Sequence, residues 1–178
     1  MTVDHFLKIP HLKFFHAAYA IAADAHKNQK RNDGKTPYMA HVHAVIANTY
    51  YRLSAKNPDT ENILRNPLTA VYVELYLVVA ALHDVVEDCE DVWPMKRIVE
   101  EFDKAHLPVE EIELVVDAVW AITKKPKGTE MYIAYVLRVK NNRIAKIVKL
   151  ADLDHNMSDL KPGNMLDKYS VTKYVLES

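Results

Sequence analysis

The chain has 178 residues, of which 49% are hydrophobic, so it is long enough and apolar enough to bury a core, and we expect a single domain over residues 1–178. Its 23 Lys and Arg and 24 Asp and Glu residues are interspersed, which argues against nucleic acid as a partner and against a basic membrane-binding face. A lone Cys89 excludes an intramolecular disulfide and a cysteine-based zinc site, and the N-terminus lacks the pattern of a signal peptide. The most apolar run, residues 75–82, is far shorter than the ~20 residues of a membrane span. We therefore expect a soluble, cytoplasmic protein.

Apolar residues recur at helical intervals along most of the chain, and no alternating strand pattern is found. The clearest example is residues 110–123, where Ile112, Val115, Val119 and Ile122 fall on one helical face and acids occupy the first turn. Similar patterns predict helices near residues 11–29, 40–54, 68–88, 95–104, 130–139 and 142–158. The sequence therefore predicts an all-α fold.

Polar stretches with Gly and Pro separate these helices. The longest are residues 32–37, 55–67 and 124–129. The 55–67 connection contains one apolar pair, Ile63 and Leu64, and its role is open. Long loops of this kind often rim a pocket.

One charged stretch, ALHDVVEDC at residues 81–89, interrupts an otherwise apolar helix. His83 and Asp84 lie about 100° apart on a helix, so both side chains can reach one point beside it. Glu87 follows His83 at i+4 and Asp88 follows Asp84 at i+4. These groups either belong to a metal site or cap and solvate the end of a helix.

Two further residues of ligand type lie beside apolar residues, His41 and Asp152. With His83 and Asp84 they give two imidazoles and two carboxylates, a nitrogen and oxygen set that suits an octahedral divalent ion such as Mn²⁺, with zinc or iron as alternatives. Lys149 and Asn156 lie at i−3 and i+4 from Asp152, so a cation, a carboxylate and an amide share one helical face. We therefore expect Lys149 to be a further substrate-binding residue, and the amide of Asn156 could orient a sugar or a phosphate.

The remaining charged and aromatic groups fit ordinary structural use. Asp154 lies off the face of Asp152, and we interpret it as a solvated or capping acid. We interpret six histidines as surface or structural residues: His5, His11, His16, His43, His106 and His155.

Three segments, HKNQKRNDGKTPYMAH, LHDVVED and VKLADLDHN, occur in this order. Together they resemble the HD-domain metal-dependent phosphohydrolases, specifically the small alarmone hydrolases and the hydrolase domains of bifunctional alarmone synthetase-hydrolases. The resemblance covers about residues 12 to 175. It implies removal of the 3′-pyrophosphate from ppGpp or pppGpp, giving GDP or GTP and pyrophosphate, usually with Mn²⁺.

The resemblance also implies roles for individual residues. It implies metal ligands at His41, His83, Asp84 and Asp152, and paired catalytic acids at Glu87 and Asp88. It implies nucleotide contacts at Arg31 and Asn156, with Lys30 and Tyr38 beside them. In this interpretation Glu87 handles the proton of a water, Asp88 relays a proton, and Arg31 offers a planar fork to phosphate oxygens.

The sequence departs from the family pattern at several positions. Val42 stands where many relatives have Pro after the first ligand, Leu153 stands where the family has a basic residue, and the 55–67 connection is longer than in compact relatives. These departures leave the substrate open. Alternatives are an HD-type phosphohydrolase acting on a nucleoside monophosphate or NADPH, or a non-catalytic, antitoxin-like binding module, which an intact pair of acids argues against. Oligomeric state is also open.

Overall fold

The computed structural model describes residues 1–158 and 160–178, and these residues form eleven helices. In chain order they are α1 (Val3–Leu7), α2 (Lys13–Ala25), α3 (Met39–Lys56), α4 (Thr60–Arg65), α5 (Val71–Leu82), α6 (Val85–Asp88), α7 (Met95–Lys104), α8 (Val109–Ile122), α9 (Tyr132–Asn141), α10 (Arg143–Ser158) and α11 (Asn164–Glu177). Extended pairing in the described residues is limited to one bridge between Lys30 and Pro37. The all-α prediction is confirmed. No helix in this part of the chain is long and apolar enough to cross a membrane.

Helix α5 lies at the centre of the fold. All of its residues from Val73 to Leu82 are buried, and a helix that is apolar on every side needs neighbours on every side. It contacts α2, α3, α8 and α10, and α10 also packs along α3. This packing brings the start of α3, the end of α5 and the second half of α10 to one place.

The predicted helix over residues 68–88 was wrong near its C-terminal end. Helix α5 ends at Leu82 and α6 begins at Val85, so His83 and Asp84 form a break between them. The backbone of Asp84 has φ −109° and ψ −5°, outside the usual α-helical values. The apolar pattern continues across the break with Val85 and Val86, which are both buried, and it therefore concealed the break.

Three helices were not predicted. Helix α1 has only 5 residues, too few to show a period, and α4 lies inside the 55–67 connection, where it buries Thr60 and Leu64. Helix α11 buries only Thr172 and Leu176, so it carries almost no apolar stripe. Short or mostly exposed helices give little sequence signal, because periodicity reports burial.

A tight turn between α2 and α3 fixes the segment that carries Arg31 and Tyr38. The N–H of Arg31 donates to the carbonyl of Thr36 at 2.8 Å. The Asp33 carboxylate accepts two backbone N–H groups and the Thr36 hydroxyl, and these bonds lower the pKa of Asp33 to about 2. Gly34 adopts a φ of +68°, which favours glycine.

Candidate functional site

Four side chains from different parts of the fold converge at the end of α5. His41 extends from the start of α3, and its Nε2 lies 3.2 Å from Asp152 Oδ1 on α10 and 3.5 Å from Asp84 Oδ2. His83 Nε2 lies 3.0 Å from Asp84 Oδ2 and 3.2 Å from His41 Nε2. His41, His83 and Asp152 are only 1%, 2% and 3% exposed. We call these four residues the four-ligand cluster; they are the four ligands that the sequence predicts.

The donor atoms of the four-ligand cluster fit a divalent metal ion. Neighbouring ligands of an octahedral ion, each about 2.1 Å from it, lie about 3 Å apart, and in a tetrahedral zinc site they lie about 3.4 Å apart. Ligand atoms of His41, His83 and Asp84 all lie within 4.8 Å of one another, and Asp152 Oδ1 is 3.9 Å from His83 Nε2. The cluster can therefore hold a metal, and its spacing suits more than one.

The charges in the four-ligand cluster depend on one another. Burial lowers the pKa of His83, but the Asp84 and Asp152 carboxylates and the hydrogen bond to Ala80 together outweigh burial and raise that pKa to about 9. Burial raises the pKa of Asp84, yet His83 and His41 hold it well below its usual value. The pKa of Asp152 is also lowered, against burial, chiefly by the Lys149 ammonium. Both carboxylates are thus charged in the folded protein and available as ligands.

Groups outside the cluster orient two of its members. The Nδ1–H of His83 donates to the carbonyl of Ala80 at 2.8 Å, so Nε2 is the nitrogen that faces the cluster and can bind a metal after it loses its proton. The hydroxyl of Tyr38 donates to Asp84 Oδ2 at 2.5 Å. Burial and the Asp84 charge raise the pKa of Tyr38, which keeps this donor protonated. Such outer partners hold metal ligands in a fixed orientation.

Asp152 has two partners on its own helix, both predicted as substrate contacts. Lys149 Nζ donates to Asp152 Oδ2 at 2.7 Å, and Lys149 is only 8% exposed. Burial lowers the pKa of Lys149, but Asp152, with smaller effects from Tyr135 and Asp84, outweighs burial and raises that pKa well above the usual value, so the residue stays an ammonium. Asn156 Nδ2 donates to Asp152 Oδ1 at 2.6 Å. In the structure both side chains therefore contact Asp152, a candidate metal ligand.

The two predicted catalytic acids lie on α6 and contact residues beyond the cluster. Glu87 accepts hydrogen bonds from the backbone N–H of Lys124 at 3.0 Å and from its Nζ at 2.7 Å. Asp88 is exposed, and its Oδ2 accepts a hydrogen bond from Gln29 Nε2 at 3.0 Å. Among the described residues, neither acid is hydrogen-bonded to the four-ligand cluster. Their catalytic roles stay predictions.

The predicted phosphate contacts differ in their placement. Arg31 donates through one terminal nitrogen to Asn156 Oδ1 at 3.1 Å, and its guanidinium lies 5.8 Å from the centre of the Tyr38 ring. Asn156 therefore connects Arg31 to Asp152. Lys30 is exposed, and its backbone pairs with Pro37. Arg31 is thus connected to the cluster through Asn156, whereas the structure shows Lys30 exposed to solvent.

Sequence reasoning missed two polar residues, His26 and Gln29, that form a chain of hydrogen bonds ending at Asp88. His26 is 1% exposed, and its Nδ1–H donates to Gln29 Oε1 at 2.6 Å. Gln29 in turn donates to Asp88, so one amide connects the two. Burial lowers the pKa of His26, which favours the neutral ring. The i, i+3 spacing of His26 and Gln29 was the available signal.

Two interpretations of charged and polar residues have different outcomes. The His43 Nε2 and the Tyr19 hydroxyl are 2.9 Å apart, in agreement with a structural histidine. The interpretation of Asp154 as a solvated or capping acid was wrong. Its carboxylate pairs with Arg52 at 2.6 Å and with Lys173 at 2.7 Å, and it joins α10 to α3 and α11.

Two cavities of similar size lie on different parts of the fold. One of about 650 Å³ is bordered by Glu87 and by the lysines of the 124–129 stretch, Lys124, Lys125 and Lys127. Another of about 630 Å³ lies among α3, α4, α5, α8 and α10, and none of the predicted site residues lines it. The first cavity is connected with the predicted site through Glu87, and the four-ligand cluster does not line it.

No protein-family model matches the sequence. The chain is 28% identical over 99% of its length to a guanosine-3′,5′-bis(diphosphate) 3′-pyrophosphohydrolase of Vibrio cholerae. It is 27% identical over 89% of its length to the bifunctional (p)ppGpp synthase/hydrolase SpoT of Escherichia coli K12. The resemblance to the alarmone hydrolases is confirmed. The chain spans 22% and 20% of these two proteins, about a fifth of their length.

Proposed function

We propose that the chain hydrolyses the 3′-pyrophosphate of guanosine polyphosphates with Mn²⁺, converting ppGpp to GDP and pppGpp to GTP. The observation that carries this proposal is the convergence of two imidazoles and two carboxylates in the four-ligand cluster. Support also comes from relatives that are named for this substrate and align with nearly the whole chain. The proposal places the activity in the cytoplasm.

The four-ligand cluster would hold the metal. We propose Mn²⁺ over Mg²⁺ because two of the ligands are imidazoles, whereas Mg²⁺ prefers oxygen. When bound, a divalent ion supplies Lewis-acid polarisation of a phosphoryl oxygen and a lower pKa for water. Tyr38 keeps Asp84 in place, and Lys149 and Asn156 keep Asp152 in place.

Glu87 would orient the attacking water and take its proton. Its carboxylate is fixed by two hydrogen bonds from Lys124, so it does not need to reorganise during the reaction. Asp88 would pass a proton to solvent, since it is exposed and its position is set by Gln29. A general base of this kind contributes roughly 10²–10⁴-fold to a rate.

The phosphates would contact Arg31 and the lysines beside Glu87. Arg31 offers a planar fork that suits a pyrophosphate, and Asn156 already orients it. The cavity of about 650 Å³ beside Glu87 is within the size range of small-molecule sites. Lys125 and Lys127 at its border add positive charge that would favour a polyphosphorylated nucleotide.

A substrate panel tests the proposal. The protein is incubated with Mn²⁺ and, separately, with ppGpp, pppGpp, nucleoside monophosphates and NADPH, and products are resolved by ion-exchange chromatography. We expect GDP or GTP and pyrophosphate from the first two substrates, loss of activity with a chelator, and better recovery with Mn²⁺ than with Mg²⁺. Orthophosphate release from a monophosphate or NADPH, with no product from ppGpp, would contradict the substrate. Turnover that is unchanged by the chelator would contradict the proposed dependence on a metal ion.

A further inference from the structure

The imidazole of His41 has a neighbour on each of its two nitrogens. Its Nε2 faces the four-ligand cluster, 3.2 Å from both Asp152 Oδ1 and His83 Nε2. Its Nδ1 lies 2.8 Å from the Nδ1 of His155, a half-buried residue on α10. The two ring centres are 4.9 Å apart. His155 therefore contacts His41 through the nitrogen that does not face the cluster.

This contact determines where the protons sit when His41 binds a metal. A neutral imidazole carries one N–H and one lone pair, and a metal needs the lone pair. If Nε2 of His41 binds the metal, its Nδ1 must carry the hydrogen. That Nδ1–H then donates to the lone pair on Nδ1 of His155, and His155 carries its own hydrogen on Nε2. One hydrogen bond thus fixes the tautomers of both rings.

We propose that His155 is a positioning residue that holds His41 in the tautomer and orientation required for metal binding. The inference rests on the proposed metal centre, and it gives a role to a histidine that the sequence alone suggests is structural. His155 does not act as a further ligand, because its nearest nitrogen approaches His41 on the side away from the cluster. Partners of this kind typically change metal affinity 10–100-fold.

The placement of His155 also connects two ligands through one helix. Asp152 and His155 lie three residues apart on α10, so the same turn supplies one ligand and orients another. Helix α10 packs along α3, which carries His41. The spacing between α3 and α10 therefore sets both the Asp152 to His41 distance and the His155 to His41 hydrogen bond.

Variants at His155 separate a hydrogen-bond role from a packing role. His155→Asn places an acceptor oxygen on the same branch point as the Nδ1 of histidine, whereas His155→Phe keeps a planar ring and has no acceptor. His155→Leu is a second apolar variant, used if the ring of phenylalanine does not fit. His43→Phe is the control, because His43 is also a half-buried, hydrogen-bonded histidine and its partner is Tyr19.

The measurement is the Mn²⁺ dissociation constant of each full chain, from the electron paramagnetic resonance signal of free Mn²⁺, with the melting temperature without metal as a check of folding. We expect about 10–100-fold weaker binding for His155→Phe or His155→Leu. His155→Asn and His43→Phe should stay within about threefold of the unchanged chain. Unchanged affinity in the apolar variants, or equal loss in His155→Asn, would overturn the proposal.

These results are independent of the substrate. If the unchanged chain binds Mn²⁺ but does not hydrolyse ppGpp, the proposed function fails and the affinities still test the role of His155. If it hydrolyses ppGpp and His155→Phe binds Mn²⁺ normally, the proposed function stands and the role of His155 fails. A chain that binds no Mn²⁺ overturns the role of His155 and the metal centre together.

Discussion

Asp152→Asn should destabilise the protein even when no metal is present. The change keeps the size of the side chain but removes the charge that pairs with the Lys149 ammonium at 2.7 Å. Both residues are buried, and leaving a buried charge without its partner costs about 3–5 kcal/mol. For a chain of this length each kcal/mol corresponds to about 2–4 °C in melting temperature. We therefore expect the metal-free protein to melt about 6–20 °C lower.

The same variant should lose its response to metal. An ion that binds only the folded state at a hundred times its Kd adds about 2.7 kcal/mol, or about 5–11 °C here. The unchanged chain should show this rise with Mn²⁺, and Asp152→Asn should not. Scanning calorimetry with and without Mn²⁺ measures both effects in one protein.

A double variant separates the two effects. Asp152→Asn with Lys149→Met removes the unpaired ammonium, so most of the metal-free stability should return, while the Mn²⁺ response stays absent. Asp154→Asn is the matched control: its partly exposed ion pairs should cost at most about 1 kcal/mol, and the Mn²⁺ response should remain. A single variant that melts like the unchanged chain would refute the buried charge pair. A double variant that still responds to Mn²⁺ would refute Asp152 as a ligand.

Three further predictions concern catalysis, substrate and pH. Glu87→Gln should keep the Mn²⁺-dependent rise in melting temperature but turn over at least roughly a hundredfold more slowly, and near-normal turnover would remove Glu87 from the mechanism. Arg31→Lys should raise KM for a pyrophosphorylated nucleotide in steady-state kinetics, because the planar fork is lost; an unchanged KM would place the phosphate elsewhere. Burial raises the pKa of Glu74, although the hydrogen bond from the Phe15 N–H acts in the opposite direction. The folded state therefore binds the Glu74 proton more tightly than the unfolded state does. The free energy of unfolding should fall as the pH rises from the pKa of Glu74 in the unfolded state to its pKa in the folded state. Urea unfolding at several pH values should show that Glu74→Gln lacks this fall in stability. If the variant and the unchanged chain have the same stability profile against pH, the fall belongs to other groups.

Periodicity predicted the longer helices that bury a continuous stripe, and it missed α1 and α4, which are too short to show a period, and α11, which buries only two residues. Residues 95–104 were placed at the bounds that α7 has in the structure, because Met95, Ile98 and Phe102 are buried on one face. Helix α11 shows the converse, since a mostly exposed helix has no apolar stripe to detect. The prediction of one domain over residues 1–178 remains untested.

Local spacing also predicted part of the candidate site. Lys149 and Asn156 were correctly placed on the face of Asp152, because i−3 and i+4 neighbours share a face of any helix. The contact between His41 and His155 joins residues 114 apart in the chain, and no local pattern could have indicated it. Contacts of that kind follow from how α3 and α10 pack, which depends on side chains along both helices.

The difference between sharing a face and touching a substrate matters most for the assignment of roles. Spacing places Lys149 beside Asp152 but does not tell whether its amino group reaches the carboxylate or a phosphate. Burial decides, since an ammonium that is 8% exposed needs a charge beside it, and Asp152 provides one at 2.7 Å. With Lys149 paired to Asp152 and Lys124 paired to Glu87, the positive charge left for the phosphates of the proposed substrate is that of Arg31, Lys125 and Lys127. Under the proposed function, substrate specificity should therefore respond to changes at Lys125 and Lys127 more than to changes at Lys149.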